Sequence, residues 1–180
     1  MLQTPEEVIA FWKDAGPTLW FRGGEAFDIR CREQMLELHM RAARAELQAW
    51  WDNAAGALAL ILLLDQIPRN IFRGSAHAYA TDPLARSIAR HAMEQKYDDT
   101  FELELRSFFY LPFMHSESLV DQDLCVSIFQ NIPGASSAPW AEHHREIIRR
   151  FGRFPHRNAV LGRTSTLEER EWLEAGGFPG

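Results

Sequence analysis

Lysine is almost missing from this chain: of 19 basic residues only Lys13 and Lys96 are lysines, and the rest are arginines. Cysteine is scarce too, since Cys31 and Cys125 stand apart without CxxC spacing. That excludes a disulfide scaffold or a cysteine-based zinc site and predicts two reduced, buried thiols. Long apolar runs are also lacking. The longest, AGALALILLL at 55–64, covers about half of a bilayer span before Asp65 and Gln66 end it, so no membrane partner is expected. The opening residues, MLQTPEEVIAFWKD, carry neither a basic stretch nor an apolar core of the secretory kind. No signal peptide is read there, and a cytoplasmic protein is expected. A net charge of -6 argues against nucleic acid, whose phosphates need a basic face. No segment alternates apolar and polar residues, which excludes an obvious sheet.

What remains is helix. The 180 residues, 46% hydrophobic and 24% charged, suit a single domain over 1–180 with a substantial core. Thr4-Pro5-Glu6-Glu7 is a capping box that predicts a helix to about Asp14, ended by Gly16-Pro17. TLWFRGGEAF then reads as an aromatic-packed loop, and Asp28 as the cap of a second helix toward Trp50. Asn53 caps a third over 54–66, apolar on every face and therefore buried among its neighbours. Pro68 and Gly74 predict a turn or a short irregular helix at 67–74. Further helices are expected from Thr81-Asp82-Pro83 to about Lys96, from Phe101 to Leu111, and from Ser116-Glu117 to Phe129. Two more follow, from Ser137-Ala138-Pro139 to Phe151 with Gly152 behind it, and from the capping box Thr166-Leu167-Glu168-Glu169 to Gly176-Gly177. The expected fold is all-α, an antiparallel array of eight or nine short helices.

Three polar clusters interrupt the apolar pattern. Asp65, Gln66, Arg69, Asn70 and Arg73 close the apolar helix, where they can either cap buried carbonyls or line a polar interior. Tyr110, His115, Glu117, Asp121 and Gln122 form the second. Glu117 and Asp121, four apart, should share a helix face opposite cations. A metal site there matches no ligand signature, so no metal and no cofactor is assigned. The third is His143, His144 and Arg145 with Arg153, His156, Arg157 and Asn158. Adjacent histidines on a helix diverge by about 100°, so one should face inward and one outward. Between Trp140 and Arg163 six arginines face two glutamates, a local +4 in an acidic chain. Asp65, Glu117 and Asp121 are the expected partners of Arg153 and Arg157.

The stretches LALILLLDQIPRNIFRGSAHAYATD, FFYLPFMHSESLVDQD and RFGRFPHRNAVLGRTST carry a resemblance. They resemble the hallmark segments of the bacterial family known as domain of unknown function 924, and the resemblance covers almost the whole chain. It implies an all-helical fold like that of tetratricopeptide repeats, a right-handed superhelix. It also implies that the signature positions are Asp65, Gln66, Arg69, Asn70, Arg73, Tyr110, Pro112, His115, Ser116, Glu117, Asp121, Gln122, Arg153, Pro155, His156, Arg157 and Asn158. It brings no reaction with it.

Three functional readings follow. The leading one is a cavity for a small anionic molecule, with Asp65, Gln66, Arg69, Asn70, Arg73, Tyr110, His144, Arg153, Arg157 and Asn158 as ligand-binding residues. His115, Glu117, Asp121 and His156 are its candidates for acid–base or hydrolytic chemistry. The second is a tetratricopeptide-like groove holding a peptide carboxylate. The third is a buried ionic network that serves architecture alone. The sequence leaves the oligomeric state and the identity of any reaction open.

Overall fold

A computed structural model describes residues 3–180. Among these residues there is no strand, and nine α-helices make up the fold: α1 (Pro5–Arg22), α2 (Gly24–Ala43), α3 (Ala54–Ile71), α4 (Asp82–Glu94), α5 (Leu103–Arg106), α6 (Leu111–Met114), α7 (Leu119–Gln130), α8 (Ala138–Phe151) and α9 (Leu167–Glu174). The all-α expectation holds. Two compact units divide the chain. One comprises the residues up to Arg73 together with His77–Pro112; the other comprises Gly74–Ala76 and Phe113–Gly180.

In the first unit α3 is central and packs against α1, α2 and α4. By length and composition it could cross a membrane, but 83% of it is buried inside the protein, as befits a core helix. Asn53 caps it as expected, its side chain accepting from the Gly56 N–H at 2.8 Å. Three expectations need correction here. α1 does not stop at Asp14: Gly16 takes a left-handed φ of 69°, kinks the chain, and the helix resumes through Pro17 to Arg22. TLWFRGGEAF is therefore largely helical and not a loop, because Trp20 stacks on Trp12 at 6.0 Å and holds the second half against the core. α2 accordingly starts at Gly24, not Asp28.

A fourth correction concerns Pro68, which does not end α3. A π-helical turn over Leu62–Gln66 precedes it, in which the Ile67 N–H reaches back to the Leu62 carbonyl. The wider turn makes room for the proline, and the helix continues to Ile71.

In the second unit α7 packs against α8. Glu117 lies ahead of α7, whose N-cap is Ser118, so Glu117 and Asp121 do not share a helix face. Gly152, with φ 70°, closes α8 as expected. Ile147, Ile148 and Phe154 form the apolar heart of this unit, with Phe151, Trp172 and Phe178 packed against them.

Candidate functional site

The first cluster, at the π turn of α3, is a set of caps. Pro68 carries no N–H, so the preceding turn lacks one backbone donor for its carbonyls. His39 Nδ1–H donates to the Leu63 carbonyl at 2.7 Å, and the Thr81 hydroxyl to that of Leu64 at 2.6 Å. The Arg69 guanidinium donates to the Asp65 carbonyl, and Asn70 Nδ2 to that of Gln66 at 3.3 Å. One turn later Arg32 takes the carbonyl of Ile71. Arg69 also grips Asp82 with two hydrogen bonds of 3.1 Å and lies 3.4 Å from Asp65. Burial opposes the Arg69 charge, but Asp65 and Asp82 outweigh it and hold the guanidinium firmly protonated. Gln66 Nε2 donates to the wholly buried Asp65 at 2.5 Å, and Arg73 pairs with Asp28 at 2.6 Å.

Tyr110 belongs to the same unit. Its hydroxyl donates to Asp98 at 2.6 Å and accepts from Arg106 Nε at 2.7 Å. Burial and the neighbouring Asp98 push its ionisation well above the usual phenol range.

In the second unit the arginines of the RFGRFPHRN stretch find carboxylates, though not all the expected ones. Arg153 forks onto Glu169 at 2.7 and 2.8 Å. The same carboxylate accepts from the Thr166 N–H at 2.7 Å, as half of the anticipated capping box, and from Asn158 Nδ2 at 3.2 Å. With Glu169 only 2% exposed, the Arg153 hydrogen bond and the Thr166 N–H overcome the burial cost and bring its acidity to about 2. Glu117 pairs with Arg163 at 2.6 and 2.9 Å and accepts from the Phe154 N–H at 2.8 Å. Burial would raise Glu117, but Arg163, Phe154 and the charge of Arg157 carry it below the carboxylate norm. Arg163 further contacts the Phe154 carbonyl at 3.1 Å and Asn158 Oδ1 at 2.9 Å, which pins the loop after α8. Asp121 accepts from the Ser116 hydroxyl at 2.6 Å, and Gln122 Nε2 donates to the carbonyls of Met114 and Ser116, both at 2.7 Å. Neither Glu169 nor Arg163 was a sequence candidate. The capping box signalled Glu169 as a cap, and nothing in its spacing marked it as a buried counter-ion.

Beside this network lies a group of another character. Four of the seven histidines, His115, His143, His144 and His156, belong to this unit. His144 faces inward and His143 outward, as the helix period predicts. The His144 Nδ1–H donates to the Trp140 carbonyl at 2.8 Å, one turn back along α8. That fixes the tautomer and makes Nε2 the basic nitrogen. Burial, then the charges of His115, His143 and Arg157, bring its acidity down to about 3, so the ring is neutral at pH 7. Its ring meets Phe154 at 5.6 Å and Phe178 at 4.8 Å, and His156 meets the same two rings at 5.6 and 5.2 Å. Arg157, 6% exposed, stacks over Phe154 at 4.4 Å and donates to the His115 carbonyl at 3.0 Å. Among the described residues no group of three or more His, Cys, Asp or Glu is arranged to hold a metal ion.

The pattern of the family described as "bacterial protein of unknown function (DUF924)" matches residues 8–177. The chain belongs to this family. Its fold is similar to the solved structure of a protein of unknown function from Agrobacterium tumefaciens, with 48% identity and a TM-score of 0.92. The likeness covers 96% of this chain and 97% of that one. No curated protein matches. The three stretches all lie within the matched residues. In this member Asp65, Gln66, Arg69, Asn70, Arg73 and Tyr110 fall in the first unit, and His115, Glu117, Asp121, His144, Arg153, His156, Arg157 and Asn158 in the second.

Proposed function

We propose that this DUF924 protein binds a small anion at the basic ring cluster of its second unit. Arg157 holds the negative group and His144 Nε2 stands ready to accept a hydrogen bond. The observation that carries this reading is the gathering of His115, His143 and Arg157 about His144, with His156 on the same two phenyl rings. The charges of His115, His143 and Arg157 all act to keep a proton off the His144 ring. A carboxylate or phosphate brought there gains charge-assisted hydrogen bonds in a poorly hydrated setting. A neutral imidazole of fixed tautomer offers Nε2 as a hydrogen-bond acceptor to a bound hydroxyl or water. Glu117, Asp121 and Arg153 serve this site as scaffolding, since each is engaged by a neighbouring side chain. The anion is either a free small molecule or a peptide carboxylate. A cytoplasmic setting belongs to the same reading and is supported by two buried free cysteines.

The test is a titration with inorganic phosphate at constant ionic strength, followed through the imidazole Hε1 resonances. Saturable shifts at His144 and its histidine neighbours are expected, with the remaining histidines unmoved. A response equal at all seven, or none, overturns the proposal.

A further inference from the structure

Between Gly16 and Gly24 the first unit carries a short helical piece that hangs by one side chain. Both glycines adopt left-handed backbone, with φ 69° and 65°, so the piece turns at either end on a residue without a Cβ. Of the residues between them only Trp20 is buried; Pro17, Thr18, Phe21 and Arg22 are exposed, and Leu19 and Gly23 are half-buried. Trp20 makes the attachment. Its indole lies over that of Trp12, 7° from parallel at 6.0 Å, and stands edge-on to Phe108 at 5.0 Å. Its Nε1–H donates to the Trp12 carbonyl at 2.5 Å. Phe27, 6.0 Å from Trp12, completes the ring layer beneath.

This closed arrangement leaves one group unmet. Trp12 is only 1% exposed, and its Nε1–H has no acceptor among the described residues. A buried donor without a partner has lost its water and gained nothing in return. The burial of Trp20 is therefore opposed by what Trp12 lacks, and water reaching that donor favours the open form. We infer that residues 17–23 are a hinged flap, which turns about Gly16 and Gly24 and lifts Trp20 off the ring layer of Trp12, Phe27 and Phe108. The rest of the unit stays folded while it does so. Closed, the flap seals the aromatic layer; open, it uncovers that layer and presents Trp20 beside the already exposed Phe21. The device belongs to the first unit and is independent of the anion reading of the second.

Native-state hydrogen exchange in rising, sub-denaturing urea tests this in the parent, in Trp20→Phe and in Gly16→Ala. In the parent the indole N–H protons of Trp12 and Trp20 should exchange together, about 100-fold or more faster than the amides of α3. Urea should hardly change their rate, because lifting one short segment exposes little surface. Trp20→Phe deletes the hydrogen bond to the Trp12 carbonyl and should speed exchange at the Trp12 indole about 10-fold. Gly16→Ala strains the closed hinge and should speed exchange of both indole protons about 5- to 30-fold. Indole protons that exchange only with α3, and with its urea dependence, overturn the inference. So does a Gly16→Ala protein that is less stable overall but exchanges its indole protons at the parent's rate, for the left-handed turn at Gly16 would then persist through the opening. Should a variant not fold, the urea dependence in the parent decides by itself.

Discussion

At the scale of single residues, two titrating groups in the second unit make opposite demands on pH. His144 is held neutral by burial and basic neighbours, with its acidity near 3 against an ordinary 6.5. Between those values the unfolded chain binds the proton and the folded chain does not, so stability falls as pH drops below 6.5. This ring's share of the loss is about 2 kcal/mol between pH 7 and pH 5, read by denaturant titration, and the loss should shrink by that much in His144→Phe. Glu169 works lower on the scale. Its acidity is depressed from 4.5 to about 2 by Arg153, so its contribution is complete above 4.5 and is lost as pH falls toward 2. Allowing for solvent screening of the partly exposed Arg153, Glu169→Gln should cost about 1–2 kcal/mol at pH 7 and nothing near pH 2. Much of this was legible in the sequence in kind but not in pairing. Arginines flanking Phe154-Pro155 had to meet carboxylates, and Arg153 does. Its partner, Glu169, lies 16 residues further along and carries only a cap signature, because spacing reveals local contacts and is silent about which loop folds back.

At the scale of elements, the π turn of α3 shows how one proline recruits side chains from elsewhere in its unit. The Leu64 carbonyl, which the ring of Pro68 cannot serve, depends on the Thr81 hydroxyl. Thr81→Val keeps the shape and removes the donor, and should cost about 1–3 kcal/mol in unfolding free energy. Arg163 has the same standing for the loop after α8. Arg163→Ala strands the half-buried Glu117 and should cost about 2 kcal/mol, and Arg163→Lys should restore less than half of it, since one ammonium cannot reproduce the fork. The helix starts at Thr4, Asn53 and Thr166 were legible because a cap is a local hydrogen bond written in adjacent residues. The continuation of α1 past Gly16 and of α3 past Pro68 was not. Both depend on tertiary partners, Trp12 for Trp20 and Thr81 for Leu64, and these outweigh a local breaker.

At the scale of the whole molecule, the near-absence of lysine acquires a physical sense. Arg69, Arg73, Arg106, Arg153 and Arg163 each meet a carboxylate, and four of the five are less than one-third exposed. A planar fork suits that task better than a point charge. These pairs are architecture in both units. The functional reading stands on the ring cluster about His144. The measurement that tests it most directly is the unfolding free energy of the parent and of Arg157→Gln, each with and without saturating phosphate. The account predicts that the parent gains about 2.7 kcal/mol at a phosphate concentration 100 times the dissociation constant, and that Arg157→Gln folds cooperatively and gains almost nothing. An equal gain in both proteins, or no gain in the parent, would contradict it.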